Sequence, residues 1–207
     1  MSIKAVVFDY GGVICYPPPA ETAMEMERLT GLSHTQLDDL QRKYRGQYDR
    51  GDCGGEEYFR RILSGCGLFF DEASLREIAQ TDMNGYKNLN YETVQLMRDV
   101  KSAGVKTAIL SNMPVDFLIW ARENIQVIKE ADAAIFSCEH YLLKPETAIY
   151  EKLSEELRLS YAEMAFFDDL PENIIRACEL GINGFVWINA ADARKTLKKA
   201  CKIFEDF

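Results

Sequence analysis

Apolar residues open this chain in a short and nearly continuous run. Residues 3–8 are rich in β-branched side chains and lead to Asp9, which is followed closely by Gly11 and Gly12. A short apolar run that ends in glycine predicts a strand buried on both faces of a parallel sheet. Asp9 would then lie at the carboxyl end of that strand, where open α/β sheets bind ligands. An ordinary strand that ends in a turn with a capping aspartate would have the same sequence.

A proline-rich stretch, Pro17–Pro19, separates this strand from a long region with helical periodicity. Apolar residues recur there at helical spacing in four segments, which are Met26–Leu32, Thr35–Tyr48, Glu56–Leu63 and Leu75–Ala79. The region contains no strand-like pattern. We therefore predict an all-helical cap, residues 16–88, inserted directly after the first strand.

From Asn90 onward, strand and helix patterns alternate. The predicted strands are Val105–Leu110, Ala133–Phe136, Met164–Phe167 and Gly184–Ile188. The predicted helices are one that ends at Gly104, then Pro114–Asn124, Glu146–Leu157 and Pro171–Leu180, and a last one through Ala193, Leu197, Ala200 and Phe204. This alternation implies right-handed βαβ units and a parallel sheet. The predicted fold class is α/β, with a Rossmann-like core made of residues 1–15 and 89–207.

Polar residues follow the predicted strands or precede the next helix. They are Asp9 with Gly11 and Gly12, Ser111 with Asn112, Lys144, and Asp168 and Asp169 with Asn173. In a parallel sheet the carboxyl ends of the strands meet at one edge, so these groups would share one site. Glycine-rich backbone and helix N-termini are typical phosphate-binding features.

The acidic pair after the fourth strand indicates a metal. Adjacent carboxylates repel each other, and a bound cation removes that cost. Hard oxygen ligands favour Mg²⁺ or Ca²⁺ over zinc or copper, and Mg²⁺ typically adds a substrate phosphate to one or two carboxylates. Lys144 precedes a helix, where the helix dipole disfavours a cation, so stability alone explains it poorly. Together these groups predict Mg²⁺-assisted phosphoryl transfer, although N-capping would also account for Ser111, Asn112 or one aspartate.

Bulk composition narrows the classes of partner and compartment. A net charge of -9 argues against binding to a nucleic-acid backbone. We expect no membrane span and no secretory signal, because no apolar run is long enough and a strand begins at Ile3. Six scattered cysteines without a C-x-x-C pair favour reduced thiols, and two histidines are too few for a histidine-based metal site. We expect a cytoplasmic monomer or homodimer.

The motifs resemble those of the haloacid dehalogenase (HAD) superfamily, in the branch that has a helical cap after the first strand. Asp9 with its glycines is similar to the first motif, Ser111 to the second, Lys144-Pro145 to the third, and Asp168-Asp169 with Asn173 to the fourth. Order, spacing and cap position all agree. The stretch from Phe166 to Asn173 looks most like the branch of small sugar-phosphate phosphatases and the phosphatase domain of epoxide hydrolases.

The resemblance implies a Mg²⁺-dependent phosphatase that hydrolyses a small phosphate monoester, such as a sugar phosphate. Asp9 would be the nucleophile and form an aspartyl-phosphate, and Lys144 would offset the negative charge. Asp9, the Gly11 carbonyl and Asp169, with Asp168 beside them, would hold the metal, and Asn173 would orient its outer shell. The phosphate would be bound by Tyr10, Gly11, Ser111, Asn112 and Lys144.

Gly11 is a departure from the family pattern, which usually has an aspartate at this position as general acid and base. Loss of such a group typically costs about 10²–10⁴ in rate. Glu139 or His140 would be a possible substitute. Two alternative functions therefore stay open. The chain could be a phospho-ligand-binding regulator with little turnover, or a 2-haloacid dehalogenase, since a halide leaves without a proton.

Substrate choice is expected to lie in the cap. Candidate pocket residues there are Tyr16, Tyr44, Arg45 and Tyr48, with Arg45 placed to pair with a second anionic group. Packing between the cap's own helices is the alternative explanation for Tyr44 and Tyr48.

Overall fold

The structure is a computed structural model that describes residues 2–204. Its strands are β1 (Ala5–Phe8), β2 (Lys106–Ser111), β3 (Ala133–Phe136), β4 (Met164–Asp168) and β5 (Asn183–Val186). They form one parallel sheet in the order β3-β2-β1-β4-β5. The sheet confirms the predicted α/β fold class and places β1 at its centre, which explains why its sequence is apolar throughout.

Helices cover both faces of the sheet. They are α5 (Tyr91–Ser102), α6 (Val115–Asn124), α7 (Gln126–Glu130), α8 (Ser137–His140), α9 (Thr147–Leu157), α10 (Pro171–Leu180) and α11 (Ala190–Ala200). Alternate residues of β1 point to opposite sides, so Val6 and Phe8 pack with α5, α6 and α11, and Ala5 and Val7 pack with α9 and α10. The two faces are separate apolar clusters joined by the sheet.

Four further helices lie between β1 and α5 in the chain. They are α1 (Ala20–Thr30), α2 (His34–Arg50), α3 (Gly55–Ser64) and α4 (Glu72–Gly85). They enclose an apolar cluster of their own, in which the rings of Tyr48 and Tyr58 stack with centroids 4.8 Å apart. We propose that this unit is a cap domain with the predicted limits, residues 16–88. Its two connections to the core run side by side, since Cys15 and Leu89 form an antiparallel bridge.

The end of the chain differs from the prediction. Helix α11 ends at Ala200 instead of continuing to Phe204. Lys202 adopts a left-handed conformation, and the chain turns back so that Ile203 and Phe204 pack into the core, with the Ile203 N–H bonded to the Leu197 carbonyl. The burial of Phe204 explains why this residue fitted the predicted helical pattern. The short helices α7 and α8 were not predicted, because one turn of helix leaves little periodic signal.

Within residues 2–204, the helices are all too short or too polar to span a membrane.

Candidate active site

Three charged side chains meet at the carboxyl edge of the sheet. Asp9 follows β1, Asp168 ends β4, and Lys144 lies in the loop before α9. The Lys144 Nζ atom lies 2.8 Å from Asp9 Oδ1 and 2.6 Å from Asp168 Oδ2, and all three side chains are buried. Because β1 and β4 are neighbours in register, with Phe8 beside Phe167, the two carboxylates approach the same ammonium.

Asn112 holds the lysine in place through its backbone. The Asn112 Oδ1 atom accepts the Lys144 N–H at 2.8 Å, and Asn112 Nδ2 donates to the Lys144 carbonyl at 3.0 Å. Lys144 Nζ also donates to the carbonyl of Leu110 in β2, at 2.8 Å. The Asn112 side chain was predicted to bind phosphate. In the structure both its oxygen and its nitrogen bond to the backbone of Lys144, and these bonds position the lysine.

Asp168 is surrounded by hydrogen-bond donors. Its Oδ1 atom accepts the Leu170 N–H at 2.8 Å, and Asn173 Nδ2 lies 3.0 Å from both carboxylate oxygens. With Lys144 on Oδ2, each oxygen already has two donors. Asp168 is therefore built to orient Lys144, and Asn173, expected near a metal, acts through Asp168.

Asp169 faces the turn after β1. A Cβ atom at Gly12 would lie only 2.3 Å from Asp169 Oδ2, and Gly12 has a φ of +69°, so this turn requires glycine. Asp9, Asp168 and Asp169 each offer a carboxylate oxygen, and these oxygens lie within 4.8 Å of one another. A compact set of hard oxygen donors fits Mg²⁺.

The electrostatics of the site are those of several carboxylates around one cation. Burial raises the pKa of Asp9 to about 7; Lys144 opposes this rise, and Asp168 and Asp169 add to it. Burial alone would lower the pKa of Lys144, but the charges of Asp9 and Asp168 outweigh it, so the pKa is raised and the lysine stays charged. Burial and Asp168 raise the pKa of Asp169. The three carboxylates thus have more negative charge than Lys144 neutralises, which favours the binding of a metal ion.

Residues Tyr10–Ile14 form a turn after Asp9 in which Gly11 and Gly12 have non-helical backbone angles, and the Cys15 N–H bonds to the Tyr10 carbonyl. The Tyr10 N–H, predicted to bind phosphate, donates to Asp9 Oδ1 at 2.6 Å in this structure, and the Tyr10 hydroxyl donates to the Tyr86 carbonyl at 2.9 Å. A Cβ atom at Gly11 would have no described atom within 4 Å. The position where the family resemblance led us to expect an acid is therefore open space here.

Two cavities adjoin these residues. The catalytic cleft, of about 480 Å³, is lined by Asp9, Gly11, Lys144 and Asp169 from the core and by Asp38 and Asp49 from α2. The side pocket, of about 50 Å³, is lined by core and cap residues, which are Tyr10, Gly11, Ser111, Asn112, Met113, Pro114 and Phe117 from the core and Arg45, Asp82, Met83 and Tyr86 from the cap. Gly11 belongs to both cavities, so a ligand at Asp9 could extend from one into the other. Ser111 is buried at the end of β2, as predicted.

The predicted substrate residues are placed differently from one another. Arg45 lines the side pocket, but its guanidinium contacts Asp49 at 2.9 Å and Asp82 at 3.0 Å, so its charge is already matched. Tyr48 is wholly buried in the cap cluster, which corrects its assignment to the pocket. Tyr44 and Tyr16 lie outside both cavities. Tyr44 lines a separate groove between α2 and α3, and Tyr16, 44% exposed, belongs to the connection between cap and core.

Several residues of the two cavities were not identified from the sequence. They are Asp49, Asp82, Met83, Tyr86, Met113 and Phe117. Asp49 and Asp82 lie on different cap helices, and both meet Arg45. Asp49 follows Arg45 by one helical turn in the sequence. Many exposed ion pairs have this spacing, so it is only weak evidence for a functional residue.

Comparison with known proteins defines the class. The family model of haloacid dehalogenase-like hydrolases matches residues 3–179, and the chain belongs to this family. Among curated relatives, the sesquiterpene phosphatase astK of Aspergillus oryzae is 26% identical over 186 residues, covering 88% of this chain and 89% of the relative. Bifunctional epoxide hydrolase 2 of mouse is 24% identical over 219 residues, covering 96% of this chain but 39% of the relative. The predicted resemblance is confirmed.

Solved structures share the fold. A HAD family enzyme of Bacteroides thetaiotaomicron, crystallised with magnesium and inorganic phosphate, has a TM-score of 0.70 at 20% identity and covers 89% of this chain and 93% of its own. The L-2-haloacid dehalogenase of Xanthobacter autotrophicus, with chloropropionic acid covalently bound, has a TM-score of 0.68 at 23% identity and covers 96% and 84%. Fold similarity alone therefore fits both a HAD family enzyme solved with magnesium and phosphate and a dehalogenase, whereas phosphatase-named relatives at comparable length support a hydrolase of phosphate esters.

Proposed function

We propose that this protein is a Mg²⁺-dependent phosphatase that hydrolyses a small phosphate monoester through an aspartyl-phosphate on Asp9. The observation that carries this proposal is the contact of Asp9 with Lys144 beside a third acid, Asp169, in an open cleft. The ammonium of Lys144, 2.8 Å from Asp9, opposes the effect of burial and favours the charged, nucleophilic form of this carboxylate.

Asp9, Asp169 and the backbone carbonyl of Gly11 would hold Mg²⁺. When bound, the ion supplies positive charge that draws the phosphate toward Asp9 and withdraws electron density from phosphorus. Lys144 neutralises charge that builds on the nucleophile and phosphoryl oxygens, and Asn112 and Asp168 keep it aimed at Asp9. The Ser111 hydroxyl and the backbone N–H groups after Asp9 would bind the phosphoryl oxygens.

The side pocket supports an uncharged and largely apolar leaving group. It is lined mostly by aromatic, methionine and proline side chains. The charge of Arg45, predicted to bind a second anion, is already matched by its contacts with Asp49 and Asp82. Arg45 is therefore not available to pair with a second phosphate or carboxylate on the substrate. We therefore favour monophosphates of small, weakly polar alcohols over bisphosphates.

Six free cysteines among residues 2–204 support the proposed cytoplasmic location, because reduced thiols persist in that compartment. Whether the protein is a monomer or a homodimer stays a prediction.

A panel of phosphate monoesters with and without Mg²⁺ tests the proposal. We expect Mg²⁺-dependent phosphate release that Asp9→Asn abolishes. Asp39→Asn is a matched control, because it makes the same change at an exposed position of α2. Release that continues unchanged with a chelator, or in Asp9→Asn, would contradict the proposal.

The 2-haloacid dehalogenase is the second candidate, and Gly11 is the observation that favours it. A halide leaves without a proton, so the absence of an acid at position 11 would not slow the reaction. The acidic cluster around Lys144 speaks against it, because carbon–halogen displacement makes no use of a cation at Asp169. Halide release from a 2-haloacid in the presence of a chelator would favour this candidate.

A further inference from the structure

We propose that Asp49, on the cap helix α2, is the general acid and base of this site, in place of the carboxylate that Gly11 does not provide. Its carboxyl group would protonate the leaving oxygen and later deprotonate the attacking water. The inference rests on the proposed phosphatase function and adds a catalytic residue to it.

The position of Asp49 is the first argument. It lines the catalytic cleft together with Asp9, Gly11 and Lys144, although it belongs to the cap. Its side chain is 13% exposed, so it faces this cleft instead of bulk water. The open space at Gly11 lies along the same cleft. A carboxyl group contributed by the cap to this cleft can therefore serve in place of an acid at position 11.

The end of α2 is fixed to the core, which keeps Asp49 in place. The Ser137 hydroxyl accepts the Met113 N–H at 2.8 Å and donates to the Asp49 carbonyl at 2.5 Å. Gly51 packs so closely on Cys138 that a Cβ atom there would lie 3.0 Å from the Cys138 carbonyl oxygen. Proton transfer requires a donor within hydrogen-bond reach, and these contacts fix the donor relative to the sheet edge.

The charges around Asp49 suit a group that gains and loses a proton. Arg45 Nε lies 2.9 Å from Asp49 Oδ1, and the same guanidinium binds Asp82, which also accepts from Gln41 Nε2 at 2.8 Å. One cation thus faces two carboxylates, and Asp82 has the additional donor. Burial raises the pKa of Asp49, Arg45 and Lys144 oppose the rise, and Asp82 adds to it. A phosphate dianion in the cleft would favour the protonated form further.

The two steps balance in atoms and charge. In the first, Asp9 Oδ bonds to phosphorus, the bond from phosphorus to the ester oxygen breaks, and that oxygen takes the proton of Asp49 and leaves as an alcohol. In the second, water attacks phosphorus, Asp49 takes one of its protons, and the bond from phosphorus to Asp9 breaks. Hydrogen phosphate leaves, and Asp9 carboxylate and Asp49 acid are restored.

The sequence-based candidates for this role are less well placed. Glu139 lies on the surface, paired with Arg122 at 2.7 Å. Among the described residues that line the catalytic cleft, neither Glu139 nor His140 is present.

Burst kinetics of Asp49→Asn test the inference. With an alkyl phosphate, whose leaving group needs a proton, we expect turnover to fall about 10²–10⁴-fold. With p-nitrophenyl phosphate, whose leaving group needs none, we expect a rapid burst of nitrophenol close to one equivalent, followed by slow turnover, because breakdown of the phosphoenzyme lacks its base. Gly11→Asp added to Asp49→Asn should restore steady turnover, since the structure has room for that side chain.

Asp39→Asn, on the exposed side of the same helix, is the control and should leave both substrates within about twofold of the wild type. Equal rates for Asp49→Asn and the wild type, or a uniform loss without burst that Gly11→Asp does not rescue, would overturn the inference. The uniform loss would instead indicate that Asp49 only supports the fold.

The wild-type arm separates this inference from the proposed function. If the wild type shows no Mg²⁺-dependent phosphate release that requires Asp9, the proposed function fails and the role of Asp49 falls with it. If the wild type is active and Asp49→Asn behaves like it, only the inference about Asp49 is overturned.

Discussion

The carboxylate of Asp116, on the core helix α6, accepts a hydrogen bond from the backbone N–H of Gly55 at 2.6 Å. Gly55 is the first residue of the cap helix α3, and its N-cap residue, Gly54, has no side chain with which to cap the helix. A carboxylate of the core therefore stabilises the N-terminus of a helix that belongs to the cap unit. The contact lies next to Phe117 of the side pocket, so the fit of the cap on the core and the shape of the pocket are linked.

Loss of this contact should affect both stability and substrate binding. We expect Asp116→Ala to lower the free energy of unfolding by about 1 kcal/mol, as for other helix caps, and to raise KM several-fold. Asp71→Ala is a matched control, because Asp71 caps α4 within the cap itself through the Ser74 N–H at 2.8 Å. It should lower stability by a similar amount with KM unchanged. Denaturant titration and steady-state kinetics measure both; equal KM effects in the two variants would contradict the link.

The adjacent acids Asp168 and Asp169 should have separable roles. Asp168 already holds Lys144 and Asn173, whereas Asp169 faces the cleft. We expect Asp169→Asn to weaken Mg²⁺ binding about 100-fold, and Asp168→Asn to weaken it much less while still lowering kcat about 10²-fold through the displaced lysine. Calorimetric titration with Mg²⁺ and kinetics at saturating Mg²⁺ compare them. The reverse order of Mg²⁺ affinities would contradict the assignment.

The raised pKa of Asp9, about 7, makes a prediction for the metal-free protein. Between the ordinary aspartate pKa near 4 and this value, the folded state binds more protons at Asp9 than the unfolded state does. The free energy of unfolding should therefore fall as pH rises through this window, with a slope to which Asp9 contributes at most one proton, bound in the folded state and not in the unfolded state. Asp9→Asn should make this slope shallower, and Asp49 and Asp169, whose pKa values are also raised, account for the remainder. Saturating Mg²⁺ should also make it shallower in the wild type, because the ion favours the carboxylate.

Denaturant unfolding at several pH values, with a chelator or with Mg²⁺, provides the measurement. A free energy of unfolding that rises with pH over the same window in the chelated wild type would show that Lys144 dominates Asp9.

The side pocket should determine substrate preference. We expect monophosphates of weakly polar alcohols to exceed matching bisphosphates in kcat/KM by about tenfold or more, because Arg45 is already paired with Asp49 and Asp82 and cannot bind a second anion. Phe117→Ala should cost the apolar substrates about tenfold and leave inorganic phosphate inhibition unchanged. Ile119→Ala, at an exposed position of the same helix, is the control. A wild type that prefers bisphosphates would contradict this prediction.

Much of the fold could be predicted from the sequence because its elements follow strong local rules. The strand Ala133–Phe136 and the helix Pro171–Leu180 were predicted to the residue, the latter because proline opens it and Gly181 ends it. The edge strand β5 was placed about one residue late, since an exposed strand has little apolar pattern. Phe204 was assigned to a helix because burial by chain reversal gives the same apolar signal as a helix face.

The site was predictable only where one residue stands at the end of one element. Asp9, Ser111, Lys144 and Asp168 lie at the sheet edge as expected, because parallel topology brings strand ends together. Which partner each residue contacts was not predictable. Asn112 contacts the Lys144 backbone, and Arg45 contacts two acids, because these pairings depend on how loops and cap fold over the edge. Asp49 had only the weak signal of its spacing from Arg45, since its place in the catalytic cleft depends on tertiary structure.

The central claim is that Asp9 attacks phosphorus, and rapid acid quenching during turnover tests it most directly. The wild type, mixed with an excess of its best phosphate monoester and Mg²⁺, should show a phosphoryl group on the peptide that contains Asp9, and the adduct should be absent with a chelator and in Asp9→Asn. Mass spectrometry of the quenched protein identifies the adduct and its position. Mg²⁺-dependent turnover that proceeds at an undiminished rate in Asp9→Asn would contradict the account.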